Sequence, residues 1–112
     1  MSILKKVQDL TPHLITLRKE RTETYDAFQS VGKAAYKDGE IDHLTKELIA
    51  TAIAISVNCE PCIGYHVKSL VKLGVTRGAF MDMLEVVIQM GGGPGLMKAG
   101  EALAVYEELT AS

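Results

Sequence analysis

The chain has 112 residues, 47% of them hydrophobic and 23% charged, with a formal net charge of −2. That is one globular domain with no room for a second, and its interspersed charges give no case for a nucleic-acid or anionic-membrane partner. No apolar run approaches the roughly 20 residues that span a bilayer. No apolar segment follows Met1-Ser2-Ile3-Leu4-Lys5-Lys6, so the sequence reads as lacking a secretory signal, and a cytoplasmic location is expected. In a reducing compartment a lone cysteine pair suits catalysis or metal binding better than a structural staple. A domain this small buries only about two-thirds of its unfolded surface. The strongly apolar middle of the chain therefore predicts subunit contacts that complete the core.

Helical spacing dominates the sequence. Thr11-Pro12 predicts a helix start, a capping side chain followed by proline at the first position. Leu14, Leu17, Tyr25, Phe28, Val31 and Ala35 then extend one apolar stripe to about residue 37, where Asp38-Gly39 ends it. Arg21 interrupts the stripe and is expected to lay its stem along the core edge with its head in water. Residues 43–57 alternate small and branched side chains in their second half, as a strand would. The apolar pattern nevertheless runs back to Leu44, too long for a strand, and no second strand candidate exists to pair with it. A buried central helix is expected.

The next helix is expected to begin near Cys59, capped by Asn58, with Glu60 and Pro61 in its first turn and Gly74 closing it. Thr76 caps another, with Phe80, Met83, Leu84, Val87 and Ile88 on its apolar face. Gly91-Gly92-Gly93-Pro94-Gly95 must break the chain, and no Lys-Ser/Thr follows to make it a phosphate loop, so a tight turn between helices is expected. A last helix covers about 96–109. Met81, Met83, Met90 and Met97 read as core filler, and His13 and His43 as surface residues without partners. The whole is an all-α domain of five to six helices.

The chemistry concentrates in Asn58-Cys59-Glu60-Pro61-Cys62-Ile63-Gly64-Tyr65-His66, which holds the only two cysteines. On a helix, positions 59, 62 and 66 share one face. Both thiols fall in the first turn, where free backbone N–H groups and the helix dipole stabilise a thiolate, the nucleophilic form. His66, one turn beyond Cys62, can accept the thiol proton and return it to a leaving group. Glu60 would oppose thiolate formation if it pointed at the sulfurs, and it is expected to face solvent. A zinc site of Cys59, Cys62, His66 and Glu47 is an alternative, although structural zinc normally uses paired cysteine knuckles and this chain has one. Redox chemistry is the leading reading.

Lys46-Glu47-Leu48-Ile49 followed by the cysteine run resembles the carboxymuconolactone decarboxylase superfamily, specifically its alkyl hydroperoxidase D-like branch. That branch is marked by a Glu at fixed distance before Cys-x-x-Cys-x-x-x-His. The similarity continues through Leu73-Gly74-Val75-Thr76 to the glycine run and covers about residues 42–109. The resemblance implies an all-α fold assembled as a trimer or hexamer, no cofactor, and a relay in which Glu47 orients His66. It further implies that Cys62 attacks a hydroperoxide, that Cys59 resolves the sulfenic acid, and that a lipoyl-bearing or thioredoxin-like dithiol protein reduces the disulfide. The full hydroperoxidase differs in having two related halves and often a second histidine between the cysteines, where this chain has Glu60-Pro61. Two other readings stand beside the peroxidase: a decarboxylase-like enzyme with His66 as acid/base, and a non-enzymatic redox or zinc sensor.

Overall fold

The computed structural model describes residues 2–111. Five helices follow in order: α1 Ile3–Glu20, α2 Thr22–Ala35, α3 His43–Ser56, α4 Glu60–Lys72 and α5 Arg77–Thr110, with no strand among the described residues. The all-α expectation holds, including the helix over 43–57.

α1 begins earlier than Thr11-Pro12. The Ser2 hydroxyl accepts the Lys5 N–H at 3.3 Å, and Ile3 and Val7, one turn apart, bury against α4. They reach it because Gly64 presents no side chain there; a Cβ at that position would run into both. Burial of this first stretch starts the helix, and Pro12 lies inside it on an exposed stretch. The break falls instead at Arg21, whose backbone (φ −138°, ψ 53°) separates α1 from α2. Arg21 is exposed, with its guanidinium donating to the Glu20 carbonyl at 2.6 Å, so its stem does not line the core. The apolar stripe expected across both helices is also not core. α2 buries no residue and packs only on α1, leaving Phe28 75% and Val31 64% exposed.

The core lies among α3, α4 and α5, where Ile55, Ile63, Val67, Leu70, Phe80 and Ala102 are sealed from water. α3 starts at an Asp42 carboxylate that accepts the Thr45 N–H at 2.8 Å. It ends when Asn58, at φ 58°, takes the left-handed conformation, donating to the Ile55 carbonyl while Cys59 N–H donates to that of Ala54. This double bond pattern is the Schellman closure, and asparagine is the residue other than glycine that tolerates it best. Asn58 thus ends α3, and the cap of α4 is Cys59 itself.

α5 is two arms rather than one rod. Gly92 (φ 63°, ψ −147°) lies in a region open only to glycine and folds residues 93–110 back along 77–91. Phe80 and Tyr106 consequently stack with ring centroids 4.6 Å apart. The arms meet closely beyond the bend, where a Cβ on Gly95 would stand 2.9 Å from the Val87 carbonyl oxygen. Thr76 caps the first arm as expected, accepting the Ala79 N–H at 3.1 Å. Of the four methionines read as filler only Met83 is buried, while Met90 and Met97 stand open to solvent.

Candidate active site

The Schellman turn delivers the chain from α3 straight into α4, so the cysteines emerge where the two helices meet. Cys59 and Cys62 are joined as a disulfide, with Cα atoms 5.2 Å apart. The Cys59 sulfur occupies the N-cap and accepts the Cys62 N–H at 3.3 Å, taking the place that a serine or aspartate oxygen fills elsewhere. One sulfur of the pair is therefore held on the positive end of α4.

His66, a turn further along α4, points its Nδ1 at the Glu47 Oε2, 2.8 Å away on α3. With Glu47 as a carboxylate, which only accepts, Nδ1–H is the donor of this contact, and a neutral ring then has its lone pair on Nε2. The contact ties the two helices together at the motif. Glu47 is 7% exposed and His66 26%, so the pair is shielded from competing water. Cys59, Cys62, His66 and Glu47 thus come from the two helices that meet at the motif.

Glu60 does not face open solvent. It is bonded by Lys6 of α1 and, at 3.1 Å, by Lys98 of the second arm of α5. Those two ammonium groups hold its carboxyl below the usual carboxylate range. Lys98 also pairs with Glu101 at 2.8 Å; Glu101 first and Glu60 second push its ammonium above the usual lysine value. The negative charge between the cysteines is therefore offset by positive charge on both sides.

His43, read as an unpartnered surface residue, belongs to this cluster. Its Nε2 lies 3.6 Å from the other carboxylate oxygen of Glu47, Oε1. Tyr36, from the turn after α2, sets its ring 6.1 Å from that of His43 and 6.0 Å from that of His66. Burial and then the negative charge of Glu47 raise the Tyr36 phenol above its ordinary value. The four-residue spacing from His43 to Glu47 places both on one face of α3 and was a usable signal. Nothing in the sequence joined Tyr36, Lys6 or Lys98 to the motif.

An open groove of about 580 Å³ adjoins the motif, walled by Ile55, Asn58, Val87, Met90, Pro94 and Lys98. Among the described residues no group of three or more His, Cys, Asp or Glu side chains is arranged to hold a metal ion.

An all-α domain that pairs a Cys-x-x-Cys helix start with a buried Glu–His contact defines a recognisable class. The Carboxymuconolactone decarboxylase family pattern matches residues 22–105, and the chain belongs to that family. A family protein from Legionella pneumophila, solved in its apo form, superposes with a TM-score of 0.92 at 44% identity over 96% of both chains. A second, from Thermotoga maritima, superposes with a TM-score of 0.80 at 25% identity over 93% of this chain and 89% of its own; it is described with a suggested part in an antioxidative response. An uncharacterised protein of Cupriavidus necator is 42% identical over 85 residues, 76% of this chain and 75% of its own.

Proposed function

We propose that the protein is a thiol-dependent peroxidase or disulfide oxidoreductase acting through Cys62, Cys59, His66 and Glu47. The observation that carries this reading is the Cys59–Cys62 disulfide at the start of α4, next to a histidine oriented by a buried carboxylate at 2.8 Å. In the reduced protein, His66 Nε2 takes the Cys62 thiol proton. The thiolate attacks one oxygen of a hydroperoxide, the O–O bond breaks, and His66 returns the proton to the departing alkoxide. Cys62 is left as a sulfenic acid, and the Cys59 thiol displaces its hydroxyl as water to close the disulfide. The sum is one hydroperoxide and two thiols giving an alcohol, water and the disulfide. An external dithiol, borne by a lipoyl or thioredoxin-like protein, returns the pair to thiols and is itself oxidised. The description of the Thermotoga relative points the same way.

The working form in this reading is a homo-oligomer, a trimer or hexamer in the cytoplasm, whose subunits cover the open apolar side chains of α2.

The test is to count free thiols and bound zinc in the reduced protein before and after a few equivalents of an organic hydroperoxide. Loss of both thiols as an intramolecular disulfide is expected. Stoichiometric zinc with unreactive thiols would contradict the reading and favour a metal sensor.

A further inference from the structure

We propose that His43 is the solvent end of a proton relay, a positioning residue that acts through Glu47 to connect His66 with bulk water. Its role in turnover rests on the oxidoreductase reading; its linkage to His66 does not. The geometry behind it is a carboxylate shared between two imidazoles. Glu47 Oε2 meets His66 Nδ1 at 2.8 Å, and Oε1 faces His43 Nε2 at 3.6 Å. Glu47 is almost sealed between the two rings, and of its two neighbours His43 is the more open to water, its side chain 41% exposed against 26% for His66. The Tyr36 ring neighbours both imidazoles, its centroid 6.1 Å from that of His43 and 6.0 Å from that of His66.

The net reaction releases no proton, but thiolate formation and alkoxide departure are separate events, and an outlet lets His66 exchange its proton with water between them. Each thiolate that forms releases a proton, and each alkoxide that leaves takes one up. A proton arriving on His66 Nε2 turns the ring into an imidazolium, which passes its Nδ1 proton to Glu47. The carboxyl reorients, and a small side-chain shift brings His43 Nε2 into hydrogen-bond range to take that proton. His43 Nδ1–H then gives a proton to water. Run backwards, the same path recharges His66 for the alkoxide. No bond other than those to hydrogen is made or broken.

The other charged groups near this line are few. Asp38 accepts the backbone N–H of His43 at 2.7 Å, and Asp42 caps α3 just before it. Tyr36 stays a neutral phenol beside Glu47, and His66 is the group that faces Glu47 from α4. Among the described residues no charged side chain of α5 is ion-paired with Glu47, His43 or His66.

The experiment follows the two histidine rings by nitrogen-detected NMR across pH in the full chain and in His43→Gln. In the native chain the two imidazoles should titrate as a coupled pair, each curve departing from a single-proton shape. In His43→Gln the His66 curve should collapse to one proton; Glu47→Gln should uncouple the rings in the same way. A His66 curve unchanged by His43→Gln overturns the proposal.

A kinetic arm adds hydroperoxide to the reduced protein in dilute buffer. His43→Gln should react roughly tenfold more slowly, less than the ~10²-fold expected for a group touching the thiol, and added imidazole should restore the rate. A slow variant that imidazole does not rescue counts against the relay. If the reduced native chain ignores hydroperoxide, the oxidoreductase reading falls, and the histidine titration alone decides the linkage.

Discussion

Lys98 Nζ sits 3.1 Å from Glu60 Oε2, linking the second arm of α5 to the first turn of the cysteine helix. The link decides what the acid between the cysteines does to them. Alone, Glu60 would repel a thiolate; bonded to Lys98 and Lys6 it contributes little net charge. Lys98→Met should therefore move thiolate formation in the reduced protein to higher pH, and Glu60→Gln should move it lower. Thiolate absorbance against pH reads both. The ion pair itself has a wide window. Glu60 lies below its usual value, so its contribution to stability holds above the ordinary carboxylate range and fades only as pH falls through the lowered value. Lys98 lies above its usual value, so its contribution is complete below the ordinary lysine range and fades as pH rises through the raised value. Across neutral pH neither change should occur.

The bend at Gly92 and the close contact at Gly95 predict a graded glycine series. Gly92→Ala forces a side chain into a backbone region that only glycine occupies, at a cost of about 1–3 kcal/mol. Gly95→Ala pushes a methyl against the Val87 carbonyl, where backbone must yield, and should cost about as much. Gly100→Ala meets nothing within 4 Å in a regular helix and should stabilise by about 0.5–1 kcal/mol. Urea unfolding of the three variants checks the order.

Glu47→Gln keeps the shape at 47 but offers His66 an amide, which no longer fixes which ring nitrogen holds the proton. Peroxide-dependent thiol loss should slow about 10–100-fold, the usual scale for losing an orienting partner. Iodoacetamide labelling at high pH, where the thiolate forms without help, should change little.

Phe28 and Val31 are 75% and 64% exposed on a helix that buries no residue, so Phe28→Asp and Val31→Asp should move monomer stability by no more than about 0.5 kcal/mol. If α2 is where subunits meet, both should lower the assembly mass measured by light scattering. An unchanged mass would move the interface elsewhere.

The sequence was most legible where local chemistry and burial agreed. Thr76 and the glycine run announce their places through side-chain oxygens and backbone freedom, and the spacing of Cys59, Cys62 and His66 sets them on one helix, whereas Glu47 stood out only through the family resemblance. It misled where tertiary packing overrode local signals. Thr11-Pro12 resembles a helix start, yet Ile3 and Val7 pull the preceding turns onto Gly64, and the helix simply continues through the proline. Arg21 carries no breaker signal, and the stripe from Leu14 to Ala35 is apolar without being core. Asn58 looked like a cap for α4 because asparagine suits helix starts and left-handed helix ends equally well; the hydrogen bonds from residues 58 and 59 show the second. Glu60 could not be placed from sequence, because its partners lie at positions 6 and 98.

The central claim is that Cys62 makes the first attack and Cys59 resolves it, and trapping the intermediate tests it most directly. Reduced Cys59→Ser and Cys62→Ser would each receive one equivalent of organic hydroperoxide with a dimedone-type probe present, followed by intact-mass measurement. The account predicts a labelled sulfenic acid on Cys62 in Cys59→Ser, and neither label nor peroxide loss in Cys62→Ser. Equal labelling in the two variants, or labelling of Cys59 alone, would contradict it.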